Sequence, residues 1–511
     1  MKKKIFLIVL FLPFFNQFFP KIHTNKTFLQ PRPIIENLSM ELSCWYSQIG
    51  KSDYNQISLQ VIPFYQKSTN KSNIGDYFGY FAEQEGRIRD FISVAAMPDA
   101  DPAVAPSLVS DDIHVNYLIH NPQSENMSVG GRITFRPSQE SYGIRLGYYQ
   151  SLEKFFLKLD TAIVRVKNNL NLWGIDQLIS DEVDENVNKN ILDFFEGNLE
   201  VQSFDDRLQR PLSFAKFGNS LSRRGFADIE IAFGFSFLDD IDNKISAAIN
   251  LTIPTGNKAD GVYLFEPIYG NGRHFALGLR ADSKFKIWEK EESEKLLELL
   301  VNLKLKYLFK NSQKRTVGLV DDNGEKIRYG HYFLGGKRGE FPVFPLANIL
   351  TMDLDVEPGI QFEGFVAFAF KCGNFLADLG YNIFAKDSEN ISLKHEWDQN
   401  TYAVASPGDA QTDEIGYLTE LGLDPENGPF DPTNAAHYDQ NTISGPIEQK
   451  HLDFKAASTP NQFTNKIHGG FGYIFNKKTP IIVGIGASYE FVSSNSALEK
   501  YAFWGKISFL F

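Results

Sequence analysis

The chain has 511 residues, a formal net charge of −12 and a 14% aromatic fraction that includes 45 Phe, with only 2 Cys. The acidic balance disfavours nucleic acid as a partner, and two cysteines exclude a disulfide scaffold. So many rings at a mean hydropathy of −0.25 also speak against ordinary cytosolic domains.

In chain order, the first feature is "MKKKIFLIVLFLPFFNQFFP". Three lysines precede an apolar run, Ile5 to Phe15, that is too short to span a bilayer as a helix. Residues 1–22 therefore read as a signal peptide. No Ala-x-Ala pattern marks its cleavage, and the first cysteine, Cys44, lies too far on for a lipid attachment site. Residues 23–55 follow as an N-terminal periplasmic segment. "ISLQVIPFYQ" at 57–66 reads as the first strand, with a partner expected between 75 and 120. The Pro- and Ala-rich stretch 67–125 is a candidate plug or lining segment.

From residue 126 the chain alternates apolar and polar positions with period two. In "FALGLRADSKFKIW" the odd residues from Phe275 to Ile287 are apolar except Ser283, and the even ones include Arg280, Asp282, Lys284 and Lys286. A helical period would scatter those charges around every face. Strands are expected near 126–137, 140–150, 154–168, 225–238, 243–254, 274–288, 296–310, 358–371, 374–386, 464–476, 479–492 and 498–511. Several run past ten residues, the length a tilted strand needs to cross a bilayer, whereas soluble strands are shorter. With the apolar face toward lipid, every backbone group must be paired, which requires closure. The fold class is therefore all-β: a transmembrane antiparallel up-and-down β-barrel of about 14 strands, with 12 to 16 as the range. Residues 56–511 form it. Short links alternate with long ones at 169–224, 255–273, 311–357 and 387–463. The short set is expected to be periplasmic and the long set extracellular.

The last strand, "YAFWGKISFLF", places Tyr501, Phe503, Ile507, Phe509 and Phe511 on one face. A signal peptide, strands of this length and a terminal Phe resemble bacterial outer-membrane β-barrel proteins of the porin and transporter type. The resemblance implies an outer-membrane location, contact with outer-membrane lipid, and recognition of the terminal aromatic strand by the barrel-assembly machinery. The stretch "LTIPTGNKADG" is similar to segments of fatty-acid and phenol-degradation transporter barrels, while the basic inner faces depart from an apolar conduit.

No catalytic set and no cofactor or metal site stands out, so an enzyme is not expected; only His274 and His468 face inward by parity. The loop carboxylates Asp424, Glu426 and Asp431 read as a solvated surface turn rather than a calcium site. Cys44 and Cys372 are both expected on the periplasmic side, where a disulfide would tether the N-terminal segment if their Cα atoms came within about 7 Å. Parity turns Arg132, Arg145, Lys244, Arg280, Asp282, Lys284, Lys286, Lys304, Lys306, Lys466 and Lys506 toward the lumen. The reading that follows is a pore or transporter for small solutes with a preference for anions. The alternative is that the bases pair with inward acids and close the interior as a salt-bridged core. A structural or adhesive surface protein using its acidic loops is the second function, and a transporter of hydrophobic compounds the third.

Overall fold

The computed structural model describes residues 22–44, 56–79, 91–95, 113–114, 129–134, 136–179, 191–198, 201–202, 208–240, 242–338, 343–404, 443, 445–476 and 478–511. The signal-peptide residues 1–21 and the acidic trio Asp424, Glu426 and Asp431 lie outside them. Among the described residues no helix is long and apolar enough to cross a membrane.

The strands named by alternation close on themselves. They are β1 (Ile57–Ser68), β2 (Ser138–Leu152), β3 (Phe155–Asn169), β4 (Leu221–Phe226), β5 (Ile229–Asp239), β6 (Asn243–Ile253), β7 (Ala276–Lys290), β8 (Lys295–Leu308), β9 (Gly359–Cys372), β10 (Phe375–Lys386), β11 (Gln462–Phe475), β12 (Ile481–Val492) and β13 (Lys500–Leu510). Each pairs antiparallel with its neighbour, and β13 pairs with β1 to shut the seam, with Leu59 opposite Phe509. β4 and β5 share one crossing, both lying against β3, so the barrel has 12 strands.

Two expected strands are missing from the wall, which corrects the count of about 14. The stretch expected at 126–137 forms Val129–Thr134, but it pairs with Phe91–Ala95 and Trp173–Ile179 in a separate four-stranded sheet. The described strands in the interval 75–120, where a partner for β1 is expected, are Phe91–Ala95 and Ile113–His114, and both belong to that separate sheet. β1 pairs directly with β2 and needs no intermediary. At 6 residues, Val129–Thr134 also falls short of the roughly 9–11 a tilted crossing requires. Alternation identifies a strand without identifying its partner.

The outward face is apolar on every crossing. Leu279, Phe233, Leu379, Phe471, Ile485 and Phe503 are all more than half exposed. A closed barrel with such a belt satisfies its backbone internally and offers lipid a hydrocarbon surface. Tyr501, Phe503, Ile507, Phe509 and Phe511 share that outward parity, and Phe511 exchanges backbone hydrogen bonds with Ile57 at the base of the seam.

Connections segregate by length. Tight turns join β2–β3, β5–β6, β7–β8, β9–β10 and β11–β12 at one end, and long loops gather at the other. The loops pack together into a cap with a core of its own. Phe195 stacks on Phe217 at 4.6 Å between ring centroids and meets Tyr332 edge-on at 5.1 Å. Leu212, Leu264, Leu319, Leu346, Leu350 and Leu452 fill the space around them. The short helix α2 (Lys71–Phe78), from the stretch expected as plug or lining, contributes Ile74, Tyr77 and Phe78 to this cap core.

Candidate functional site: a lumen filled by the N-terminal segment

Among the described residues, it is 22–44 that occupy the barrel interior, while most of 67–125, the candidate plug or lining segment, lies outside the described residues. It enters at the loop end, where the Lys26 amide donates to Tyr77 O, the Thr27 amide to Ala456 O, and the Gln30 side chain to Gly270 O. Pro31 and Pro33 fix an extended backbone there. Asn37 then caps a single-turn helix, α1 (Leu38–Leu42), its side chain accepting from the Met40 amide. The last described residue of this stretch lies near the tight turns, where the Cys44 amide donates to Asp378 Oδ2 at 2.9 Å.

Within the barrel this segment joins no strand. The backbone-to-backbone bonds of residues 31–44 stay local: Glu36 to Pro33, Glu41 to Asn37, Ser43 to Ser39. Side chains hold it instead. Ile34, Ile35 and Met40 pack against Ile62, Phe64, Val164 and Trp504. Leu38 and Leu42 pack against Tyr149, Phe156, Leu300 and Phe365. Ser43 and Cys44 lie on a floor of Gly470, Gly472 and Gly484, where a Cβ on Gly470 would come within 2.2 Å of Ser43 Oγ.

A ladder of charges runs beside that packing. Arg32 donates to Glu363 at 2.6 Å and to Glu490 at 2.7 Å. Glu36 meets Lys304 at 2.8 Å and also Lys306, and both lysines reach Glu230 on β5. Glu41 takes Arg280 on one oxygen at 2.7 Å and Arg145 on the other at 3.2 Å. Arg145 also donates to Asp160 and to Asn37 O, at 2.8 Å in each case. Lys506 donates to the backbone oxygens of Glu41 and Ser43 at 2.7 and 2.5 Å.

The other inward residues fall into place around this ladder. Asp282 accepts from Arg280 and Lys158. Lys284 lies 3.7 Å from Glu298, and Lys466 lies 3.4 Å from Glu490. Lys244 pairs with Asp239 at 3.1 Å, and Lys286 with Asp242 and Glu289, both at the turn rim. Arg132 is corrected: its strand lies off the barrel, so it cannot line the wall. His468 is buried, its ring 5.0 Å from Phe365 and 3.8 Å from Asp378. Among the described residues no His, Cys, Asp and Glu group is arranged to hold a metal ion.

The possible disulfide between Cys44 and Cys372 is not formed. Both cysteines are free thiols. Cys44 lies inside the barrel, with Sγ 3.2 Å from Asp378 Oδ2. Cys372 shares the outward parity of Phe368 and Phe370, which are 52% and 37% exposed. The barrel wall stands between the two sulfurs.

At the junction of lumen and cap, Arg315 stacks on the Phe28 ring at 3.7 Å and pairs with buried Glu389. Burial alone would raise the Glu389 carboxyl, but Arg315 and Lys386 hold it well below the usual carboxylate range.

Taken together, the described barrel strands bury ten basic side chains: Arg145, Lys158, Arg280, Lys284, Lys304, Lys306, Lys386, Lys466, Lys500 and Lys506. Seven inward carboxylates face them: Asp160, Glu230, Asp282, Glu298, Glu363, Asp378 and Glu490. Sequence parity found most of the wall but not Arg32, Glu36 and Glu41. Their only signal is two acids and a base spaced along "PRPIIENLSMEL" beside apolar residues.

No protein-family model matches the sequence, and no curated protein is significantly similar to it. Among solved structures, the fold is similar to an outer membrane channel from Pseudomonas putida F1, at 9% identity over 91% of this chain and 100% of that one, with a TM-score of 0.36. It is also similar to the P. putida toluene transporter TodX, at 9% identity over 96% and 99% of the two chains and a TM-score of 0.32. A Pseudomonas aeruginosa FadL homologue matches at 8% identity over 95% and 99%, with a TM-score of 0.26. What makes this chain a barrel is the hydrogen-bonded closure of its own strands.

Proposed function

We propose that the chain is an outer-membrane channel for small polar solutes, closed at rest by its own residues 22–44 and opened when that segment leaves the lumen. One observation carries the reading: residues 31–44 fill the barrel without joining its sheet. Their removal breaks side-chain contacts and leaves the β-ladder whole. In this reading the long loops are extracellular, the tight turns periplasmic, and Phe511 ends the strand that the assembly machinery recognises.

The preference for anions belongs to the opened state. With the lumen filled, wall bases and acids are largely paired, so the closed barrel has the salt-bridged interior weighed against a pore. With the segment out, ten buried bases face seven carboxylates, and low-dielectric walls focus that surplus. The polar wall favours ionic or polar solutes over hydrocarbons. Planar-bilayer recordings test both parts. A rare or gated conductance is expected, with reversal potentials in a salt gradient that shift toward cations in Lys284→Glu/Lys304→Glu. No conductance under any condition removes the channel reading.

The packed cap favours a second reading, a surface protein whose loops are the working part and whose barrel is only an anchor. A barrel that stays sealed after the segment is displaced supports it.

A further inference from the structure

We propose that the two seats holding Glu36 and Glu41 are binding positions for a small carboxylate solute, and that these side chains occupy them as built-in stand-ins. This rests on the channel reading, because a solute reaches the seats only when the segment has left the lumen.

The geometry of the seats is the first argument. At each, two cations grip the two oxygens of one carboxylate. Lys304 takes Glu36 Oε2 and Lys306 takes Oε1. Arg280 takes Glu41 Oε1 and Arg145 takes Oε2. Cations on both oxygens of a carboxylate, with Lys158 a further 3.8 Å from Glu41 Oε1, make each seat an electrostatic match for a carboxylate. The second argument is charge. Within the lumen the segment carries Arg32 against Glu36 and Glu41, so its departure leaves the wall one charge more positive. Each seat cation keeps a wall carboxylate (Glu230 for Lys304 and Lys306, Asp160 for Arg145, Asp282 for Arg280) but loses the segment's, and an incoming carboxylate restores that lost contact. The third argument is room. A cavity of about 20 Å³, water-sized, already adjoins the second seat, bordered by Glu41, Arg145, Arg280, Lys158 and Glu230, and the segment's departure supplies the rest.

The consequence is competition. A carboxylate that binds only the vacated seats shifts the population toward the open barrel. Solute class and gate are then set by the same four wall residues.

The test uses the purified full-length chain in detergent, with thermal unfolding read at matched ionic strength in sodium chloride, sodium succinate, sodium phosphate and neutral succinamide. In Glu36→Gln/Glu41→Gln, whose seats have lost the segment's two carboxylates, succinate is expected to raise Tm by several degrees over chloride, and wild type to respond far less. Succinamide should do nothing, and adding Lys304→Met and Arg280→Met should abolish the rise. If the double variant does not fold, each single Glu→Gln variant carries the same comparison. A variant that responds no more than wild type, or that answers phosphate as strongly as succinate, overturns the proposal. Conductance of the same variants is read separately. A Tm rise without conductance keeps the seats and removes the channel, and conductance without a Tm rise does the reverse.

Discussion

Glu36 and Lys304 form an ion pair 2.8 Å long in which the two side chains are 0% and 1% exposed. One comes from a segment that belongs to no sheet, the other from the middle of β8. Removing one member leaves the other with one buried partner, Glu230 for Lys304 or Lys306 for Glu36, and the lost charged contact costs about 1.5–3 kcal/mol. Glu36→Gln and Lys304→Met are each expected to destabilise by that order, and the double variant by clearly less than their sum. Urea unfolding followed by intrinsic fluorescence measures all three. Strict additivity would show that the two residues do not interact.

Gly470 lets the end of the segment lie against the wall. A side chain there meets Ser43 Oγ, Asp378 Oδ2 and Cys44 Sγ at 2.2, 3.0 and 3.1 Å. Gly470→Val alters no charge, yet should lift residues 43 and 44 from their floor. Open-channel events are expected to become several-fold more frequent while ion selectivity stays as in wild type. Unchanged gating would mean that the segment is not what closes the barrel.

The thiols give a second measure of the same motion. Unfolded, unreduced protein should titrate two free thiols. In the folded protein Cys372 should label readily and Cys44 slowly, with Cys44 quickening in Gly470→Val. Mass spectrometry of labelled peptides reads both sites, and equal labelling rates in folded wild type would contradict the placement of Cys44.

The cap should loosen in acid. Burial lowers His331 to about 3 and His274 to about 4. Because the folded values lie below the unfolded one near 6.5, their contribution is complete above that pH. It is lost as pH falls, over 6.5 to about 3 for His331 and 6.5 to about 4 for His274. For His331 alone the loss at pH 4 is about 3 kcal/mol. Limited proteolysis of the cap loops should accelerate between pH 6 and pH 4, and His331→Leu should flatten much of that rise. Acid sensitivity that is the same in the variant would place its origin elsewhere.

Much of the barrel was legible because lipid imposes a rule that repeats along the chain. Every crossing in contact with hydrocarbon must alternate, so Leu277, Leu279, Leu303 and Leu305 declare themselves one strand at a time. Val129–Thr134 alternates too, and the rule could not say that it pairs with Phe91–Ala95 instead of β1. The sequence puts Cys44 and Cys372 forward as a possible pair, and only the wall between them rules out the bond.

By itself, then, the sequence determined the strands, their outward faces and the bases turned inward, because those follow from period-two geometry against an apolar solvent. The tertiary structure decided that twelve crossings close the barrel, that residues 22–44 fill it, and that Glu36 and Glu41 sit between cations of β2, β7 and β8. No local period encodes those outcomes. They depend on which distant charges and side-chain volumes meet once the sheet has closed, and closure brings together residues that the chain itself keeps hundreds of positions apart.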